Sequence, residues 1–215
     1  EPEDELELSD GAVRARSDSN QFITLADLAL QLSPAVAGKL PEGFETAGLE
    51  AVSYQTTDYM PHSSGANIAK VEVDVVTGGI KILDYYVVHD CGRILNPMIV
   101  DGQIIGGVVH GIGNAMFEQM VYDDSGNPMT TNYGDYLLPL ASEMPEIHVA
   151  HIETPSPANP MGLKGAGEGG TIPAIGAMIN AIEDALTPFD AYIAKYPVTP
   201  EYILELVDGE KMAAE

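Results

Sequence analysis

Tryptophan is missing from this 215-residue chain, cysteine occurs once, and nine Lys and Arg stand against 33 Asp and Glu. Each shortage excludes something. A single cysteine, Cys91, leaves no internal disulfide and no thiolate cluster for zinc or an iron–sulfur centre. A formal net charge of -24 at pH 7 removes the basic footprint of a nucleic-acid binder and disfavours anionic membrane surfaces. The same charge fits a solubilising acidic surface or a halophilic source. No apolar run reaches the ~18 residues of a membrane span. The acidic start Glu1-Pro2-Glu3-Asp4-Glu5 does not read as a signal peptide, so the expected location is cytoplasmic.

Hydrophobic residues make up 45% of the chain, enough for the core of one ordinary domain or two small ones. The stretch that stands out is Gly162-Leu163-Lys164-Gly165-Ala166-Gly167-Glu168-Gly169-Gly170, followed by Thr171-Ile172-Pro173. Glycines without Cβ let backbone press against a neighbour. Thr171 suits an N-cap and Pro173 a first helical turn. Ile175, Met178, Ile179, Ile182 and Leu186 then recur at helical spacing until Pro188. Three readings stay open for the loop. It cradles an anion with backbone N–H groups, it is a tight structural turn, or it presents Glu168 as a base. A Walker loop is excluded, because no Gly-Lys-Ser/Thr closes it. G-x-G-x-x-G fits poorly, because a loop carboxylate repels a pyrophosphate.

Elsewhere, Leu6 to Val13 reads as strand, Asp-Gly turn and strand. Thr24 caps a helix from Leu25 to Leu32, residues 38–48 form a loop, and Val52-Ser53-Tyr54 a short strand. Lys70 to Val75 and Ile80 to Val88 make a hairpin about Thr77-Gly78-Gly79, with His62 and Asn67 upstream as exposed loop residues. A helix follows from Asn96-Pro97 to about Gln119 despite its glycines, each costing ~1 kcal/mol in an exposed helix. Gln103, Gly106 or Gly107, His110 and Asn114 share one face, and Ile104, Val108 and Ile112 the other. The polar face reads equally as tight helix packing or as a surface for a polar ligand, with Gln103 as its hydrogen-bonding residue. Met120 to Tyr122 reads as a strand, Asp123 to Pro128 as a turn, and Ile147 to Ile152 as a strand with His148 and His151 on opposite faces. Tyr202 to Val207 is a closing strand or helical turn. The expected fold class is α+β, with mixed and antiparallel sheets and packed helices. One domain over 1–207, divisible into 1–65 and 66–207, precedes a tail at 208–215.

Two segments together resemble a known family. Asp90-Cys91-Gly92, Asn96-Pro97, Asp101-Gly102-Gln103-Ile104, Gly107, His110-Gly111-Ile112-Gly113, and then Leu163-Lys164-Gly165-Ala166-Gly167-Glu168, resemble the C-terminal part of the molybdenum-binding subunit of the xanthine dehydrogenase family. That family of molybdenum hydroxylases includes aldehyde oxidoreductases and aerobic carbon monoxide dehydrogenases. The likeness runs over about residues 5–205.

The resemblance implies that Glu168 is the catalytic base and that Gln103 touches the pterin. It places backbone at Ala166 and Gly167 beside the molybdenum. Lys164 either pairs with Glu168, reaches a cofactor oxygen, or lies on the surface. None of the chain's own side chains is expected to ligate a metal. Asp90 and Arg93 hold a turn, and Cys91 is a buried thiol. The implied cofactor is a molybdenum–pterin, molybdopterin or its cytosine dinucleotide, shared with a partner chain. [2Fe-2S] clusters and FAD sit on other subunits. The implied reaction oxidises an N-heteroaromatic compound, an aldehyde or a related small molecule with water as the oxygen source. A full family subunit is several times longer, so the expected partners are the other half of the molybdenum subunit, an iron–sulfur subunit and a flavin subunit in a hetero-oligomer. The alternative is a non-catalytic scaffold or cofactor-binding partner of the same fold.

Overall fold

A computed structural model of the chain describes residues 2–33, 35, 47–50, 52, 54, 56 and 59–213. The loop expected at 38–48 and the strand expected at 52–54 fall largely outside the described residues. The chain divides into two compact units, residues 1–56 and 57–215.

In the first unit, β1 (Leu6–Ser9), β2 (Ala12–Ala15) and β3 (Phe22–Thr24) form an antiparallel sheet in that order. Asp10 and Gly11 join β1 to β2 with φ of 48° and 70°, the double left-handed turn for which Asp-Gly is suited. Helix α1 (Leu25–Gln31) starts where expected, because Thr24 Oγ1 accepts from Asp27 N at 3.0 Å. β3 has too few residues to show alternation, and only its pairing with β2 defines it.

The second unit holds β4 (Ser64–Val73), β5 (Ile80–Asp90) and β6 (Ile147–His151) in one sheet, in that order. β4 and β5 are an antiparallel hairpin whose turn is tied by Asp74. Its carboxylate accepts from Val76 N at 2.9 Å and from Thr77 Oγ1 at 2.8 Å. The hairpin is longer than the alternation indicated, and it takes in Asn67, which is a strand residue and not part of a loop. β5 and β6 pair in parallel, because helix α2 (Pro97–Met116) and the segment after it carry the chain away and back. Asn96 caps α2 by accepting from Ile99 N at 3.2 Å. The segment expected as a strand at Met120–Tyr122 makes only a single bridge, Tyr122 to Pro128.

Helix α3 (Thr171–Ala185) packs on α2 and across β4. The core joins Ile104, Val108 and Ile112 of α2, Met178 and Ile182 of α3, Tyr85 and Val87 of β5, and Ile203 of α4 (Pro200–Ala213). Helix α4 stands where a strand or helical turn was expected, and it carries Asp208–Ala213 in the helix. The α2–α3 crossing needs glycine. A Cβ at Gly111 would lie 2.5 Å from Ala174 Cβ, and one at Gly107 would lie 3.0 Å from Thr171 N. Among the described residues no helix is long and apolar enough to cross a membrane.

Candidate functional site

The end of β5 and the glycine loop are laid side by side. Lys164 N donates to Cys91 O at 2.8 Å, and Arg93 N donates to Gly162 O at 3.0 Å. Gly92 has φ 72°, and a Cβ there would lie 3.2 Å from Lys164 N, so this close approach requires glycine. Asp90 ties the junction. Its carboxylate accepts from Gly92 N at 2.8 Å, from Thr154 N at 3.2 Å and from Lys164 Nζ at 3.1 Å. Burial alone would raise the Asp90 carboxyl. The donors at Gly92, Thr154 and Lys164 outweigh that and hold it well below the usual carboxylate range. Asp90 therefore holds a turn, and Cys91 behind it is a buried thiol pushed up by burial.

This geometry narrows the alternatives for Lys164. Its ammonium is held by Asp90, with side chains 13% and 11% exposed. It pairs with neither Glu168 nor the surface, and it does not line the recess described next.

Beyond Gly165 the loop turns to face α2. Gln103 Nε2 donates to Gly167 O at 2.7 Å. The carbonyl of Glu168 accepts from Thr171 N at 3.0 Å and Ile172 N at 3.1 Å, which starts α3. Those two first-turn N–H groups are thus satisfied within the loop and are not available to an anion. Thr171 is the first helical residue; Gly170 takes the cap position without a side-chain bond. Gly170 is pressed against α2, where a Cβ would lie 3.0 Å from Val108 N.

A recess of about 270 Å³ opens between α2 and the loop, lined by Gly102, Gln103, Gly106, His110, Glu168 and Thr171 among others. Glu168 is exposed at its edge, and its carboxylate has no hydrogen bond or ion pair among the described residues. Cβ atoms at Gly102, Gly106 and Gly167 would meet nothing within 4 Å, so side chains are missing from this wall without any packing need. Ala166 is half-buried just before Gly167. The α2 polar face divides in two. Gly107 and Gly111 serve helix packing, while Gly102, Gln103, Gly106 and His110 face the recess or solvent.

Three polar residues near the site carried no local signal in the sequence. His89 is 1% exposed, and neither ring nitrogen has a partner among the described residues. Asn67, on the same inner face of the sheet, has a buried and unpartnered amide. His151 Nε2 donates to Asp101 Oδ1 at 2.6 Å, tying the start of α2 to β6, while His148 stacks on Tyr86 on the outer face. Among the described residues no group of three or more His, Cys, Asp or Glu gathers as a metal site.

The site is a glycine-walled recess between a helix and a carboxylate-bearing loop. The sequence model of the molybdopterin cofactor-binding domain matches residues 1–145, and the chain belongs to that family. The matched residues include Gln103 and stop short of Glu168. The nicotine 6-hydroxylase large subunit of Paenarthrobacter nicotinovorans is 41% identical over 207 residues, 96% of this chain and 25% of that protein. The carbon monoxide dehydrogenase large chain of Hydrogenophaga pseudoflava is 36% identical over 183 residues, 85% of this chain and 22% of that protein. The crystal structure of quinoline 2-oxidoreductase from Pseudomonas putida 86 matches with a TM-score of 0.77 at 37% identity, covering 95% of this chain and 26% of that one. The chain thus spans about a quarter of the length of the relatives it matches.

Proposed function

We propose that this chain supplies the base and one wall of the cofactor recess in a molybdenum-dependent hydroxylase or dehydrogenase, with Glu168 as the base. The observation that carries the reading is the unpaired carboxylate of Glu168 at the edge of a recess whose other lining is largely glycine and the Gln103 amide. A wall free of Cβ atoms fits a large, flat group such as a pterin. The volume of about 270 Å³ falls below the roughly 300–1,000 Å³ of complete small-molecule sites. That supports a site which other chain segments finish.

When bound, the molybdenum–pterin supplies the centre that takes two electrons from the substrate. The chain's own residues do the rest. Gln103 fixes the loop through Gly167 O. Gly102, Gly106 and Gly167 leave room for the pterin, with Ala166 and Gly167 offering backbone to it. The Glu168 carboxylate oxygen takes the proton from a water-derived nucleophile, a task that needs hydrogen-bond reach and no competing partner. Nicotine and quinoline, the compounds in two relatives' names, are both N-heteroaromatic, which supports that substrate class over an aldehyde. Iron–sulfur and flavin partners and the remainder of the large subunit complete the enzyme under this proposal. Its location is the cytoplasm.

Glu168→Gln in the assembled complex is the test. Molybdenum content should hold while turnover falls by about 10²-fold or more, the usual worth of a positioned base. Unchanged turnover with molybdenum retained removes the catalytic role and leaves a non-catalytic cofactor-binding one.

A further inference from the structure

We infer that His89 is a positioning residue for Glu168, acting as a rigid shelf beneath Gly169. This rests on the reading of Glu168 as the base. Glu168 lies between two glycines, and each is held by a different element. Gly167 is held through its carbonyl by Gln103 of α2 at 2.7 Å. Gly169 rests on the imidazole of His89 from β5. A Cβ at Gly169 would lie 2.8 Å from His89 Cδ2 and would overlap Nε2.

The backbone that carries the ring is held in the sheet. His89 is 1% exposed, and its carbonyl accepts from Ile152 N at 2.9 Å in the sheet. Its strand partner on β4 is another glycine, Gly65, where a Cβ would come 3.5 Å from His89 Cδ2. The imidazole thus has glycines from β4 and from the loop as neighbours. Neither ring nitrogen has a hydrogen-bond partner among the described residues. A buried polar ring without partners costs free energy. Its use is therefore steric: it sets how deeply the loop sinks toward the sheet, and so how far the Glu168 carboxylate stands out over the recess. Burial, and the neighbouring His151, lower the ring's affinity for a proton.

The test compares Gly169→Ala, His89→Ala and the double variant in the assembled complex. It reads kcat, KM and backbone amide exchange over residues 165–171. Gly169→Ala drives a methyl into the ring and should lower kcat by about tenfold or more, with KM near its original value, since small misplacements of a reacting group are costly. Exchange in the loop should quicken. Removing the ring as well should restore most of both. A double variant as impaired as the product of the two single variants overturns the inference, as does loop exchange that is the same in all of them. His89→Asn runs in parallel, so that a folding failure of the alanine variant does not decide the result. Glu168→Gln keeps the two proposals apart. Full turnover in that variant removes the base, while loop exchange still reports whether His89 seats Gly169.

Discussion

Lys164 and Asp90 show how a residue's neighbours override its apparent role. Lys164 sits four positions before Glu168, yet its nearly buried ammonium is fixed on Asp90. Breaking a buried pair from one side costs roughly 3–5 kcal/mol. Because Gly92 and Thr154 still donate to Asp90, Lys164→Met should fall at the low end, about 3 kcal/mol, read as a shift in the denaturant midpoint of the complex. The pH dependence follows from the same contacts. The folded carboxyl titrates below the unfolded value of about 3.9, so its contribution is present above that pH and is lost as pH falls through the folded value. Asp90→Asn should flatten the acid limb of stability below about pH 4. As candidates, Glu168 and Gln103 were marked locally by glycine crowding and helical spacing. The partners of Lys164, and the burial of His89 and Asn67, were not. Asp90 lies 74 positions from Lys164, and His89 and Asn67 pair with Gly65 and Val87, 24 and 20 positions away, beyond the stretch whose alternation marks the hairpin.

At the scale of the element, α2 carries glycines of two kinds, and substitution separates them. Gly111→Ala places a methyl 2.5 Å from Ala174 Cβ and 2.8 Å from Thr171 O. Overpacking of this sort costs roughly 1–3 kcal/mol, which meets or exceeds the ~1 kcal/mol that alanine adds to a helix interior. The expected result is a less stable chain. Gly102→Ala meets nothing within 4 Å, so it should keep the helix gain of up to ~1 kcal/mol and raise the thermal midpoint. The same methyl enters the recess wall, and molybdenum content should fall. Unchanged molybdenum in a stabilised Gly102→Ala complex would show that this wall does not touch the cofactor. The elements themselves were readable wherever a period ran long enough or a cap was present, as in the β4–β5 hairpin, α1 and α2. β3 was hidden by its brevity. The parallel β5–β6 pair was hidden because register across a crossover leaves no local pattern. The C-terminal segment was ambiguous because a short apolar run suits strand and helix alike, and α4 is what packing of Ile203 and Val207 into the core selects.

Across the whole molecule two surface properties oppose each other. The outer face of the β4–β5–β6 sheet exposes Ile68 at 65%, Tyr86 at 44% and Val88 at 37%, with Ile152 at 58% just beyond β6. Single exposed apolar residues are ordinary, but a cluster on adjacent strands marks a face that something covers. The relatives are about four times as long as the span they share with this chain, and the remaining length of such a subunit is the proposed cover. Against this, a net charge of -24 makes copies of the chain repel one another. Salt decides the balance, because raising it from 0.1 M to 1 M shortens the screening length from about 10 Å to about 3 Å while leaving apolar attraction in place. The chain produced alone should therefore self-associate increasingly as salt rises, whereas the chain in the complex proposed above should stay dispersed. Light scattering across a salt series checks this. A chain that remains monomeric at 1 M salt would mean that the sheet face tolerates water, and that the acidic surface suits a saline source more than it compensates for an uncovered interface.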